Sequence, residues 1–258
     1  MEPLVTIVTP SYNQGRFIEE TILSVLNQTY KNIQYIIVDG SSTDSTMEVV
    51  NRYKDQIDII IHEKDKGQSD AINKGFKLAK GELVGWINSD DLLYPNCVEQ
   101  IVDLYSKNPA GVIFYGRVLS RIDADGKSFA EKECYIQSKD DLIKRNYDVI
   151  QQGSFYLTSC VAKVGYVDES IHYCMDLELW LRLLDFGSIH SYPTKPLAAF
   201  RAWEETKTST GNRKFFIDII NALKKYGAKE YDRTIVKLRY YIFKAYIKKL
   251  IGYDSRLH

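Results

Sequence analysis

The chain has 258 residues, 45% of them hydrophobic, and its 34 basic and 34 acidic side chains cancel to a formal net charge of zero. This apolar content excludes a wholly disordered chain. The neutral balance argues against a dedicated nucleic-acid binder, which carries a basic excess, so we expect no nucleic-acid partner.

The charges are unevenly distributed along the chain. Residues 212–258 contain 12 Lys and Arg against 4 Asp and Glu, a net charge of +8, which leaves −8 on the preceding residues. A basic tail on a mildly acidic body predicts a negatively charged surface or partner for the tail.

The cysteines and the amino terminus bear on the cellular compartment. The four cysteines form no C-x-x-C pair, which favours neither a zinc site nor a disulfide framework. The first residues lack the features of a signal peptide, and no apolar run reaches the roughly 18 residues that span a bilayer. We expect a cytoplasmic protein, either free or at the inner face of the plasma membrane.

The first half of the chain alternates short apolar runs with amphipathic stretches. The apolar runs are rich in β-branched residues and predict strands at residues 4–9, 33–38, 57–61 and 82–87. Apolar side chains at helical spacing predict helices at residues 16–26, 45–53 and 69–79. This alternation predicts an α/β fold with a mostly parallel sheet, in which ligands bind beyond the carboxyl ends of the strands.

The second half is less regular. We expect a helix from Pro95, as its first residue, to residue 106. Residues 121–138 are polar and predict a strand or an excursion over the site. The remaining predictions are a strand at 111–120, a helix at 175–186, an extended stretch at 189–202, and two basic helices at 212–226 and 231–251.

Polar residues follow the first two predicted strands. Residues 9–13 (TPSYN) offer side chains that can stack on and hydrogen-bond a planar ring, or simply form a turn in which Asn13 caps the next helix. Asp39 ends the second strand, where a carboxylate can accept hydrogen bonds from a base or a ribose, or form part of a capped turn. Because Gly15 stands alone, a Rossmann dinucleotide fingerprint is unsupported.

Two adjacent carboxylates, Asp90 and Asp91, follow the fourth predicted strand. A divalent cation, Mg²⁺ or Mn²⁺, with phosphate oxygens completing its coordination shell, would neutralise them. The alternative is an acidic helix start that complements the helix dipole. Asp70, after the third strand, is expected to reach the same nucleotide pocket.

Further candidates lie late in the chain. Asp176 begins a predicted helix, where it is either an N-cap or a general base directed at the cleft. Glu178 lies on another face of that helix, and we expect it at the solvent or paired with Arg182. Arg201 and Lys207 are charge-assisted donors suited to a leaving diphosphate, or solvated charges of a surface loop.

Six segments occur in this order along the chain: TPSYN, VDGSSTDST, KGQSDAINKG, GELVGWINSDDLLYP, QGSFY and MDLELWLRL. Together they resemble the inverting glycosyltransferases of family 2. The similarity covers roughly residues 4–210. It implies a single Rossmann-like glycosyltransferase-A domain at residues 1–210, with a nucleotide-binding half to about residue 110 and an acceptor-binding half after it. Residues 211–258 would then form a basic helical extension.

The resemblance also implies roles for individual residues. Pro10, Tyr12 and Asp39 match the nucleoside-binding positions, and Asp90 and Asp91 match the metal- and ribose-binding acidic motif. Asp176 matches the catalytic base, and residues 201–208 fall where the family often holds the diphosphate.

Three positions depart from the family's pattern. Asn88 stands where the first Asp of the acidic motif is common, and Met175 stands where Glu often precedes the base. Ile72 replaces a common Arg, a contact that Lys64 or Lys66 would have to supply.

These observations predict an inverting, metal-dependent transferase that moves a sugar from a UDP-sugar to a hydroxyl of a glycan or lipid-linked acceptor, in bacterial surface polysaccharide synthesis. Gln152 and Tyr156 are our candidates for the acceptor side. A nucleotidyltransferase and a non-catalytic sugar-nucleotide-binding subunit are the alternatives. The basic tail is expected to contact an anionic membrane, the enzyme body or a second subunit in a homodimer.

Overall fold

The computed structural model describes residues 2–204, 206 and 212–250. Its first half contains the strands β1 (Val5–Ser11), β2 (Ile33–Asp39), β3 (Ile59–His62), β4 (Leu83–Trp86) and β5 (Leu92–Leu93). Its helices there are α1 (Ile18–Leu26), α2 (Thr46–Arg52), α3 (Gln68–Lys77) and α4 (Cys97–Lys107).

The second half adds six strands and five helices to the described part of the chain. The strands are β6 (Gly111–Gly116), β7 (Val118–Ile122), β8 (Ser128–Glu133), β9 (Phe155–Leu157), β10 (Ser188–Tyr192) and β11 (Ala198–Arg201). The helices are α5 (Lys139–Lys144), α6 (Thr158–Lys163), α7 (Met175–Leu183), α8 (Asn212–Lys225) and α9 (Arg233–Leu250).

The larger of two sheets has seven strands in the order β10-β6-β9-β4-β1-β2-β3. Only β9 runs antiparallel to its neighbours, so the sheet is mostly parallel, as predicted. Every residue of β1 is buried because helices cover both faces of a parallel sheet. The carboxyl ends of β1, β2 and β4 therefore meet at one edge, where loops carry the polar motifs.

The smaller sheet has the order β5-β11-β7-β8. It corrects two expectations and agrees with the strand alternative for a third segment. The predicted strand at 111–120 is two strands, β6 and β7, one in each sheet. The extended stretch at 189–202 is also divided, into β10 at the edge of the large sheet and β11 inside the small one. The polar segment 121–138 contains β8, which pairs antiparallel with β7.

Helix α4 begins at Cys97 and not at Pro95. Pro95 lies just before the helix, where its carbonyl oxygen accepts a hydrogen bond from the Thr29 N–H at 2.8 Å. This bond ties the start of α4 to the loop that follows α1.

The two carboxy-terminal helices pack on the domain through buried apolar side chains. Leu223 of α8 and Leu238 of α9 are fully buried. Tyr226, after α8, donates a hydrogen bond of 2.6 Å to the carboxylate of Glu178 on α7. Within the described residues, no helix is both long and apolar enough to cross a membrane.

Candidate active site

A cavity of about 920 Å³ opens at the carboxyl edge of the large sheet. The loop after β1 supplies Pro10 and Tyr12, the loop after β4 supplies Asn88 and Asp90, and α7 supplies Asp176. The ring of Tyr12 is 59% exposed, so one face is available to a ligand. The structure thus brings together three of the predicted nucleotide-binding residues and the predicted base.

The loops after β1 and β2 hold each other. Asn13 donates its backbone N–H to Ser42 Oγ at 2.7 Å and accepts the Thr43 N–H on Oδ1 at 2.9 Å. Asn13 and Ser41 adopt left-handed backbone conformations, with φ of 52° and 65°. Asn13 therefore links two loops, which corrects the alternative in which it caps α1.

Asp90 is the carboxylate of the acidic motif that faces the cavity. Its Oδ2 accepts a hydrogen bond of 3.0 Å from Trp203 Nε1. Burial raises the pKa of Asp90, and the bond from Trp203 and the charge of Arg201 partly oppose that shift. A cation delivered with a ligand would favour the ionised form further.

Asp91 is fully buried and does not line the cavity. Its Oδ2 accepts hydrogen bonds from Asn88 Nδ2 at 3.0 Å and Gln152 Nε2 at 2.9 Å, and its Oδ1 accepts the Arg201 N–H at 2.9 Å. Burial, and next the charge of Asp90, raise the pKa of Asp91 to about 8. The expectation that Asp91 holds the metal is corrected, because its oxygens are enclosed by protein donors.

Arg201 is also fully buried and does not line the cavity. Its guanidinium donates to the carbonyl oxygens of Asp90 at 2.8 Å and Ala124 at 3.0 Å, and to Glu20 Oε2 at 2.9 Å. The guanidinium also lies 4.9 Å from the centre of the Phe17 ring. Arg201 thus fixes the Asp90 loop, which corrects its predicted role as a diphosphate ligand.

Asp90 alone of the acidic pair can reach a metal in the cavity. Among the described residues there is no cluster of three or more His, Cys, Asp or Glu that would form a complete cation site. Mg²⁺ is commonly held by one or two carboxylates with substrate phosphates completing its shell. The residues present therefore fit a divalent ion that arrives with a diphosphate, held on the protein side by Asp90.

Three other predicted residues do not line the cavity. Asp39 is fully buried, and its oxygens are held by Ser42 and by His62 Nδ1 at 2.7 Å, so it orders its own loop. Asp70 accepts the Lys66 N–H at the start of α3. Tyr156 is in the core, where its hydroxyl accepts the Trp180 indole N–H at 3.0 Å, so its predicted acceptor contact is wrong.

The remaining predicted residues have mixed outcomes. Gln152 lines the cavity while it supports Asp91. Asp176 is half-buried in the first turn of α7, where its Oδ1 accepts the Leu177 N–H at 2.8 Å. Glu178 pairs with Arg182, which was one of the two expectations for it. It is buried and does not lie at the solvent. Lys207 lies outside the described residues.

The departures from the family's pattern also have places in the structure. Asn88 lines the cavity, and its Oδ1 accepts a hydrogen bond of 2.8 Å from Gln68 Nε2. Ile72 is fully buried on α3, so a side chain there does not reach the cavity. Lys64 and Lys66 do not line it either.

Sequence reasoning missed several residues that line the cavity. Asp65 comes from the loop after β3, and Gln68 is the first residue of α3. A Cβ on Gly40 would lie 2.4 Å from Asp65 Oδ2, so glycine there lets the loops after β2 and β3 meet. The rings of Tyr173, Phe215 and Phe216 also face the cavity, and two of them belong to the helical extension. Nothing in the local pattern distinguished those rings from core residues.

The model of the family described as Glycosyl transferase family 2 matches residues 6–162, more than half of the chain. The chain belongs to glycosyltransferase family 2. The matched residues contain the strand ends and Asp90 but not Asp176, whose role rests on the geometry of the cavity and on the resemblance.

Curated relatives agree with this membership. An uncharacterized glycosyltransferase of Rickettsia typhi is 31% identical over 232 residues, 88% of this chain and 70% of that protein. TuaG of Bacillus subtilis, named for teichuronic acid biosynthesis, is 33% identical over 125 residues, 47% of this chain and 50% of that protein. The chain therefore spans only part of the length of either relative.

Two solved structures show the fold. TarS 1–349 of S. aureus in complex with UDP-GlcNAc aligns with a TM-score of 0.70 at 14% identity, covering 99% of this chain and 76% of that one. The mannosyltransferase PcManGT of Pyrobaculum calidifontis, in complex with GDP-Man and Mn²⁺, aligns with a TM-score of 0.69 at 14% identity and the same coverage. The expected glycosyltransferase-A architecture is confirmed.

The contacts of Arg201 predict a clear stability difference. Arg201→Met should lower the free energy of unfolding by about 3 kcal/mol, the lower end of the cost of breaking a buried charged contact. Glu20→Gln removes only the half-exposed partner and should cost no more than about 1 kcal/mol. Urea denaturation of both variants measures this difference. Equal losses of unfolding free energy would show that Arg201 stabilises the fold through its ion pair with Glu20 and not through its contacts with carbonyl oxygens.

Proposed function

We propose that the protein is an inverting, metal-dependent glycosyltransferase that moves a sugar from a UDP-sugar to an acceptor hydroxyl. The observation that carries the proposal is that Asp90 and Asp176 line one cavity. Asp90 is suited to a cation bound to the diphosphate of the donor, and Asp176 is suited to base catalysis. Both would then face the same bound donor. Membership of family 2 removes the nucleotidyltransferase alternative.

The nucleotide is proposed to bind beside the ends of β1, β3 and β4. Pro10 and the exposed ring of Tyr12 offer faces for the base, and Asp65 and Gln68 offer polar atoms nearby. Mg²⁺ or Mn²⁺ at Asp90 would supply a positive charge for the diphosphate. Asn88, fixed by Gln68 and Asp91, keeps an amide in the place where the family often has a carboxylate.

Asp176 is proposed to act as the general base. It accepts the proton of the acceptor hydroxyl as that oxygen attacks the anomeric carbon on the face opposite the nucleotide. The bond between that carbon and the diphosphate oxygen breaks, UDP leaves, and the configuration inverts. The carboxylate is held by the Leu177 N–H at the start of α7. Met175 and Leu177, its neighbours on α7, also line the cavity.

The polymer is proposed to be a bacterial surface polysaccharide. TuaG, a relative, is named for the biosynthesis of such a polymer, teichuronic acid. The solved structures of TarS and PcManGT, which share the fold, are complexes with UDP-GlcNAc and with GDP-Man. These likenesses support a nucleotide-sugar donor of this class.

The role of Asp176 can be tested by Asp176→Asn. The amide cannot take the proton, so turnover should fall about 10²- to 10⁴-fold, whereas UDP affinity should persist because the nucleotide end is unchanged. UDP release from a panel of UDP-sugars with crude lipid acceptor measures turnover, and calorimetry measures UDP binding.

Asp148→Asn is the matched control, since Asp148 also lines the cavity but pairs with Lys132. Near-normal turnover of Asp176→Asn would place the base elsewhere. An absence of UDP release by the unaltered protein with every donor would favour the non-catalytic alternative.

The helical extension is proposed to contact an anionic membrane. On α9, Val236, Tyr240, Phe243 and Ile247 recur at helical spacing and are between 38% and 61% exposed. Residues 233–250 contain six Lys and Arg and no Asp or Glu. An apolar stripe with amphipathic rings among basic residues suits the interface of an anionic bilayer. Leu238, on another face of α9, packs inward.

Vesicle flotation tests this contact. The protein should float with phosphatidylcholine vesicles that contain phosphatidylglycerol and much less with phosphatidylcholine alone. Replacing Tyr240 and Phe243 with Ser should weaken binding at least about tenfold, because apolar area is lost. Phe129→Ser is the control, an exposed ring on β8. Self-association through the stripe, seen by analytical ultracentrifugation without flotation, would instead support a homodimer.

A further inference from the structure

The walls of the cavity differ in chemistry from one side to the other. The loops after β1, β3 and β4 and the start of α3 supply mainly polar side chains, among them Asp65, Gln68 and Asp90. The wall formed by α7, the segment before it and α8 is largely apolar, with Leu177, Phe215 and Phe216. Asp176 belongs to this second wall. If the donor occupies the polar side, the apolar wall faces the acceptor.

Aromatic rings continue from this wall towards the surface. Ring centres lie 6.0 Å apart between Tyr173 and Phe215, 5.6 Å between Phe215 and Phe216, and 5.6 Å between Phe216 and Tyr241. The next step, from Tyr241 to Tyr240, is 6.0 Å, and Tyr240 is 58% exposed. We call these five residues the aromatic run. It leads from the cavity to the exposed face of α9.

The run is not simply part of the hydrophobic core. The buried side of α8 is formed by Ile219, Ala222 and Leu223, which are at most 6% exposed. Phe215 and Phe216, in the first turns of the same helix, are only partly buried and border the cavity. Half-buried rings at the wall of a cavity are the usual surface for an apolar ligand group.

We propose that the aromatic run is an acceptor subsite for a glycolipid. The sugar hydroxyl of the acceptor lies at Asp176, and the apolar aglycone lies along the rings towards α9. The only polar atoms of these rings are tyrosine hydroxyls, so the run offers few hydrogen-bond partners to the hydroxyl groups of a free oligosaccharide and an extended apolar surface to a hydrocarbon chain.

The end point of the run supports this assignment. Tyr240 is shared by the aromatic run and the exposed stripe of α9, where the basic residues of the extension lie. An acceptor anchored in an anionic bilayer would therefore enter at the place where its apolar chain leaves the lipid. This inference rests on the proposed glycosyl transfer for the role of Asp176 but makes a separate statement about binding.

Calorimetry with decyl and methyl β-D-glucopyranoside tests the subsite. The two probes share one sugar and differ only in the alkyl chain, and both are titrated with UDP and Mn²⁺ present, below the micellar concentration of the decyl compound. The decyl compound should bind at least about tenfold more tightly, the gain expected from burying as few as two methylene groups. Replacing Phe215 and Phe216 with Ser should abolish this preference.

Three variants complete the design. Phe215→Ser alone carries the test if the double variant does not fold, since its ring is only partly buried. Phe186→Ala, an exposed ring outside the cavity, should keep the preference. Phe243 lies on the exposed stripe of α9 but is not part of the aromatic run, so Phe243→Ser should also keep the preference for the decyl glycoside.

Equal affinity for the two glycosides, absence of binding, or a preference that survives in the Phe215 and Phe216 variants would overturn the proposal. Loss of the preference in Phe243→Ser would also overturn the proposal, because the alkyl chain would then lie on the outer face of α9. The titration measures glycoside binding and needs no sugar transfer. Its result can therefore be interpreted even if the Asp176→Asn experiment contradicts the proposed base.

Discussion

The active site depends on the burial of Asp91 and Arg201 behind it. Asp91 receives N–H groups from Asn88, Gln152 and the backbone of Arg201, while the Arg201 guanidinium binds the carbonyl of Asp90. These bonds connect the loop after β4, the segment before β9 and the end of β11. A buried carboxylate without such donors would be costly, so the three segments must come together for the domain to fold. Asp90 is the residue that this arrangement presents to the cavity.

The acidic residues of the site thus fall into two groups. Asp39 and Asp91 are fully buried and bind protein donors, which gives their loops one shape. Asp90 and Asp176 border the cavity, where each also accepts a hydrogen bond from the protein. Metal binding and base catalysis would need carboxylates that reach the ligand, and the position of Asp90 is held by the contacts of the buried Asp91 and Arg201 beside it. Arg201 is itself buried and binds protein oxygens instead of lining the cavity.

The sequence predicts the fold and the location of the site well, because both follow from local patterns. Buried β-branched runs alternate with amphipathic helices, and polar residues after parallel strands must meet at one edge. It predicts less well which polar residues face the ligand, since Asp90 and Asp91 are adjacent and identical in type. Their difference arises from Gln152 and Arg201, about 60 and 110 residues further on. The aromatic wall from Phe215 and Phe216 was missed for the same reason, because only tertiary packing brings α8 to the cavity.

Anomalous diffraction from crystals grown with UDP and Mn²⁺ tests the central claim most directly. A manganese peak in contact with the Asp90 carboxylate, inside the cavity that Asp176 borders, is the result that this account predicts. Asp91 should remain enclosed by Asn88, Gln152 and Arg201 in that complex. A manganese ion bound by Asp91, or one outside this cavity, would contradict the account.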